Sequence, residues 1–262
     1  MCRTCWRIRA TGMRNNRNRI KAVCATLTGP LHTARGMPCQ DCCKYGRAGK
    51  NFIAVVSDGA GSAKYGKIGA KIICETLNDL LKNAPLDNIR ETVIHAIAVA
   101  RGKLQRHRLN KNKASENIDD FAATLVGMAC RGNNGVFFHI GDGAAIAFSG
   151  GYGEDFTASR PENGRFSCET YFYTMDDWKD NLRFTPFENA QTVFLMSDGV
   201  TNFAFSRDFN RIERGFLYPI NDYLESETSK SRAARALVNT LNTPQARKLN
   251  NDDKTLFWAK LS

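Results

Sequence analysis

Thr192-Val193-Phe194-Leu195-Met196-Ser197-Asp198-Gly199-Val200 is an apolar run that ends on a carboxylate. Alone, the phrase reads as a buried strand closed by a turn, because glycine supplies turn geometry and aspartate favours turns. The same phrase occurs earlier, in Phe52-Ile53-Ala54-Val55-Val56-Ser57-Asp58-Gly59. Two greasy strands that both stop at Ser-Asp-Gly read as two rigid posts, each carrying an acid at its end. A strand holds a ligand to within about 0.5 Å, which a free loop does not.

Working outward from these posts, "KAVCATLTG" and "CQDCCKY" read as two strands before Phe52. After Tyr65 the period changes. Ile68, Ile72, Ile73, Leu77, Leu80 and Leu81 recur at helical spacing, so residues 66–82 are predicted to be a helix. Pro85 opens another, with Ile89, Val93, Ile97, Ala100 and Leu104 on one face. "FAATLVGMAC" and "GVFFHIGDG" are strands flanking "RGNNG", where Asn134-Gly135 suits a tight hairpin turn. "AAIAFSGG" is a further strand, residues 150–190 read as irregular, "KSRAARALVNTLN" is a helix and "KTLFWAKL" a last strand. Strands and helices are largely segregated. That order predicts an α+β fold with antiparallel sheets, not an alternating one. With no repeat and no second domain, residues 20–262 are expected to form a single domain behind a basic N-terminal extension, residues 1–19.

The chain has 262 residues, 42% of them hydrophobic, enough for a sizeable core. It has no apolar run of 18 residues and no signal-type apolar segment, so no membrane association is expected. Nine cysteines, an odd number scattered through apolar segments, point to reduced thiols in a cytoplasm. Cys2 and Cys5 form a CxxC, but with Cys39, Cys42 and Cys43 they do not give four well-spaced zinc ligands. The formal charge of +11 is concentrated at Arg3, Arg7, Arg9, Arg14, Arg17, Arg19 and Lys21, and again between Arg101 and Lys113. Such runs can bind nucleic acid, but no base-reading motif accompanies them, so they read as a solvated tail and a solvated helix end.

The acids in turn contexts form a set: Asp41 in "PCQDCC", Asp58, Asp142 in "HIGDGAA", Asp198, and Asp252 with Asp253 in "NNDDKTLFW". Singly, each Asp-Gly is a turn. Together, as oxygen donors at strand ends, they select hard cations such as Mg²⁺ or Mn²⁺. No HExxH, catalytic-serine or P-loop motif competes with that reading.

The ordered motifs resemble those of the metal-dependent PP2C-type protein phosphatases (PPM family), in the compact bacterial branch whose first motif reads Gln-Asp. The matching segments are "GMPCQD", "SDGAGSAKYGKIGA", "DDFAATLVG", "IGDGAA", "LMSDGV" and "NDDKT", spread over residues 20–260. The resemblance implies two stacked antiparallel β-sheets flanked by α-helices, and a cleft holding two Mn²⁺ or Mg²⁺ ions with a weaker third. On that pattern Asp58 bridges two metals and the Gly59 carbonyl binds one of them. Asp198 and Asp252 complete the other, Asp41 holds metal-bound waters, and Asp142 joins Asp198 at the third. The implied reaction is hydrolysis of phosphoserine and phosphothreonine in proteins by a metal-bridged water, with Asp58 and Asp198 central and no covalent intermediate. The implied partners are a phosphorylated protein and an opposing Ser/Thr kinase, for a monomeric enzyme. Three positions depart from the family pattern. Gln40 stands where an acid is usual, Ala60 where many members carry a proposed general-acid histidine, and the phosphate-gripping arginine has only His32 or Arg35 as candidates. These departures keep open a weak or inactive binding module of the same fold. A metal-dependent phosphodiesterase is a lesser alternative.

Overall fold

The computed structural model describes residues 20–110, 117–150, 155–162 and 170–261. The basic segment 1–19, with the Cys2-Cys5 pair, and the end of the basic run beyond Asn110 lie outside the described residues. The chain runs β1 (Lys21–Leu27), α1 (Pro30–Ala34), β2 (Cys42–Ala48), β3 (Asn51–Ser57), α2 (Gly66–Leu81), α3 (Ile89–Asn110), β4 (Leu125–Arg131), β5 (Asn134–Ile140), β6 (Ala144–Phe148) and β7 (Phe156–Ser159). It continues through β8 (Arg183–Phe187), β9 (Thr192–Met196), α4 (Asp198–Ala204), α5 (Arg214–Ser226), α6 (Lys230–Leu241), α7 (Pro244–Leu249) and β10 (Lys254–Lys260). The strands form two antiparallel five-stranded sheets, ordered β1-β10-β9-β6-β7 and β2-β3-β4-β5-β8.

Three apolar layers explain why the two posts are greasy throughout. Side chains along a strand alternate between its faces. In β3, Phe52, Ala54 and Val56 enter the layer between the sheets, while Ile53 and Val55 face α2 and α3. In β9, Val193 and Leu195 enter the inter-sheet layer, and Phe194 and Met196 pack under α5 and α6. A sheet covered on both faces leaves no position for a polar residue until the strand ends. The result is helices outside two stacked sheets, the α+β sandwich expected from the sequence.

Local expectations change in four places. The β4–β5 turn is made by Gly132 and Asn133, because Arg131 pairs with Asn134 and Gly132 takes φ +61°. Asn134 and Gly135, predicted as the turn, already lie in β5. The stretch 150–190, read as irregular, contains β7 and β8, edge strands of four and five residues too short to show a period. Helix α5 was not anticipated, although Leu217, Ile220 and Leu224 lie on its buried face; Pro219 sits inside it. "CQDCCKY" becomes a strand only from Cys42, leaving Asp41 just before it. No helix among the described residues is long and apolar enough to cross a membrane.

Candidate metal centre

Strand register brings the acids together. Cys42 pairs with Ser57, which sets Asp41 beside Asp58. Leu256 pairs with Met196, so the chain leading into β10 runs back along the Ser197-Asp198-Gly199 turn, with Asp253 against Gly199 and Asp252 just before it. The serine of each Ser-Asp-Gly is an anchor. Ser57 Oγ donates to the Thr124 carbonyl at 2.6 Å, while the Asp58 N–H donates to Thr124 Oγ1 at 3.1 Å. Ser197 Oγ donates to Asp41 Oδ2 at 2.9 Å and accepts the Thr255 N–H at 2.9 Å. Asp198 is the first residue of α4, where a carboxylate is favoured by the helix dipole.

Both glycines are required by close backbone approach. A Cβ on Gly59 would run into the Gly66 backbone, and one on Gly199 into the Asp253 carbonyl. These contacts press the Asp58 turn onto α2 and the Asp198 turn onto the lead-in to β10.

Asp58 lies within hydrogen-bonding reach of both Asp41 and Asp198. Burial, then the two neighbouring charges, push Asp58 well above the usual carboxylate range. Burial is also the main cause that raises Asp41 to about 6 and Asp198 to about 7, the latter helped by Asp142. Asp142 is raised by burial and Asp252, against the Thr170 hydroxyl that donates to its Oδ2 at 2.6 Å. Asp41 Oδ1 and Asp198 Oδ1 are buried without a hydrogen-bond partner. Among the described residues no three His, Cys, Asp or Glu side chains surround one point as a ready-made cage. The aspartates lean on one another instead, as crowded carboxylates do when they share protons.

Asp58, Asp142, Asp198 and Asp252 line one cleft of 550 Å³. Thr170, Tyr171, Phe172 and Met175, from the segment before β8, form part of its wall, with Ala60 and Ser62 beside Asp58. No lysine, arginine or histidine is among the described residues that line it. Asp41 is buried behind Asp58. The all-oxygen donor set, the two orphaned carboxylate oxygens and a described lining without a cationic side chain fit hard divalent cations.

His32, the sequence candidate for gripping phosphate, is not among the described residues lining the cleft. It is buried on α1, with Nδ1 2.9 Å from Asp253 Oδ2. Arg35 is exposed at the end of α1, also away from the described cleft lining. Asp253 is the residue that sequence reasoning passed over. It is fully buried and accepts the Gly29 N–H on Oδ1 at 2.7 Å and the Gln40 N–H on Oδ2 at 2.6 Å. It thus ties the start of α1 and the approach to β2 to the start of β10. Lys254 next to it is buried, its Nζ donating to the Asn250 and Asp252 carbonyls at 2.7 and 2.9 Å. A doubled acid before an apolar strand was the one available signal, and it does not say which of the two faces inward.

A family model described as "Protein phosphatase 2C" matches residues 28–250. Serine/threonine-protein phosphatase 3 of Escherichia coli (strain K12) is 26% identical over 255 residues, covering 92% of this chain and 99% of that protein. Among solved structures, PppA, described as a key regulatory component of T6SS in Pseudomonas aeruginosa, aligns with a TM-score of 0.62 at 17% identity, covering 93% of this chain and 98% of that one. RsbX, solved in complex with magnesium, aligns with a TM-score of 0.56 at 16% identity, covering 93% and 96%. These structural likenesses show a shared fold. The family match spans every strand from β2 to β9 and every acid of the cleft except Asp252, and on it this chain belongs to the protein phosphatase 2C family.

Proposed function

We propose that this chain is a divalent-cation-dependent phosphatase that hydrolyses phosphoserine and phosphothreonine in proteins. The observation that carries the reading is the cleft itself: half-buried, mutually repelling aspartates at the ends of rigid strands, with no cationic side chain among the described residues that line it. Asp58, Asp198, Asp252 and Asp41 would hold two Mg²⁺ or Mn²⁺ ions, and Asp142 a weaker third. When bound, such ions supply an activated water and offset the charge of the phosphoryl group.

The chain's own residues do the rest. Ser57, Thr124 and Ser197 fix the directions of the acids. Thr124 and Thr170 hydroxyls are engaged with Asp58 and Asp142, and no cysteine or histidine is among the described cleft residues. On this reading the attacking group is water, with no covalent enzyme intermediate. Tyr171, Phe172 and Met175 offer an apolar wall to the residues flanking the phosphorylated one. His32 acts at one remove, bracing Asp253. Residues 20–262 would work as a single, monomeric domain behind the basic segment 1–19, in a reducing cytoplasm where its thiols stay free, opposing a Ser/Thr kinase.

The test is phosphate release from a phosphothreonine peptide with and without Mn²⁺ or Mg²⁺, beside Asp58→Asn. Cation-dependent release that the variant loses is the expected result. Cation binding by the wild-type protein with no release would overturn the enzyme reading in favour of a binding module.

A further inference from the structure

Gln40 is 5% exposed and bridges the two halves of the centre. Its backbone N–H donates to Asp253 Oδ2 at 2.6 Å. With the side-chain amide oriented to satisfy its neighbours, Nε2 donates to the Gly59 carbonyl at 2.8 Å and to the Ala60 carbonyl at 3.1 Å. Two carbonyl oxygens of the Asp58 turn therefore converge on one –NH₂ group. Convergent carbonyls beside carboxylates are the kind of donor set that a hard cation fills. An amide –NH₂ meets both with two donors and no net charge. A carboxylate at this position has nothing to donate, and would face the same two carbonyls with Asp41 and Asp58 close by.

We propose that Gln40 is a positioning residue that takes the place of a cation at the Asp58–Ala60 turn. It holds the turn in shape before any divalent ion arrives, and it leaves the centre one negative charge short, so that ions bind less tightly than the fold would allow. The inference rests on the divalent-cation reading of the cleft; its test reads cation binding and ion-free stability, not phosphate release.

The full chain is stripped with a chelator, its melting temperature measured, and Mn²⁺ titrated by calorimetry. Q40E is expected to lower the ion-free Tm by about 5 °C, from lost hydrogen bonds and added repulsion. It is also expected to tighten Mn²⁺ binding by about tenfold or more. Q40M keeps the side-chain length but has no donor. It should lower the ion-free Tm while leaving the Mn²⁺ dissociation constant within about twofold of wild type. The opposite movement of stability and affinity in Q40E is the signature that a merely structural role does not produce. Q40E with unchanged Tm and affinity, or with both reduced, overturns the inference. Absence of Mn²⁺ binding in wild type and Q40E alike overturns it together with the cation reading. The predicted binding pattern without phosphate release by wild type supports it and overturns only the phosphatase reading.

Discussion

Asp198 carries a proton cost that a divalent ion would relieve. Without an ion, its folded-state pKa stands at about 7 and that of Asp41 at about 6, against an ordinary 3.8. A raised folded pKa means that the folded protein keeps protons which the unfolded chain has already shed. Stability from these groups is therefore greatest below about pH 4 and falls as pH rises towards 6–7, by about 1.4 kcal/mol per unit of elevation. Two outcomes follow. Asp198→Asn should raise the ion-free stability at pH 8 by roughly 1–3 kcal/mol in urea melts, yet change little at pH 4, while reducing phosphate release by about a thousandfold or more. Mn²⁺ should also raise the wild-type Tm more at pH 8 than at pH 5, because ligands must lose their protons to bind it. An Asp198→Asn protein less stable than wild type at pH 8 would show that the carboxylates do not repel as described.

At the level of elements, the close contact between α4 and the lead-in to β10 depends on a missing side chain. A methyl on Gly199 meets the Asp253 carbonyl, a backbone atom that cannot step aside without shifting the Asp253 carboxylate, which accepts the Gly29 and Gln40 N–H groups and lies 2.9 Å from His32 Nδ1. Gly199→Ala should cost about 1–3 kcal/mol by overpacking and weaken cation binding as well, since Asp252 moves with Asp253. Gly102 in α3 makes the contrast, because a Cβ there meets nothing within 4 Å. Gly102→Ala should stabilise by about 0.5–1 kcal/mol through helix propensity alone and leave cation binding unchanged. Chemical denaturation of both variants, with Mn²⁺ titrations, separates the two cases.

For the whole molecule, the two sheets must stay stacked for the two posts to face each other. β3 delivers Asp58 from one sheet, and β9 and β10 deliver Asp198 and Asp252 from the other. Phe257 is a main cross-link of the shared layer, its ring centroid 5.3 Å from Tyr45 and 6.3 Å from Phe52 of the opposite sheet. Phe257→Ala should cost about 3–5 kcal/mol. Because it loosens one sheet against the other, it should also weaken Mn²⁺ binding, although Phe257 is not among the described residues that line the cleft. Unchanged Mn²⁺ affinity in a destabilised variant would mean that the centre is held by the turns and not by the sandwich.

Sequence by itself determined the posts, the two long helices and the family of acids. Each of those signals lies within a few residues of chain: an apolar run on a strand buried on both faces, a 3.6-residue period, an aspartate before a glycine. It also pointed to the layered α+β class, since helices and strands are segregated along the chain. Only the tertiary structure decided where each acid stands. Asp252 lines the cleft and Asp253 braces it because β10 pairs with both β1 and β9, so that Gly29 and Asp253 meet across 224 positions of sequence. The same pairing buries His32 behind the centre and turns the Gln40 amide onto the Gly59 carbonyl. Short edge strands such as β7 and β8 carry too few residues for a period to emerge. Local pattern records whether a residue is buried; which partner it meets there depends on register and on the stacking of sheets, set by the fold as a whole.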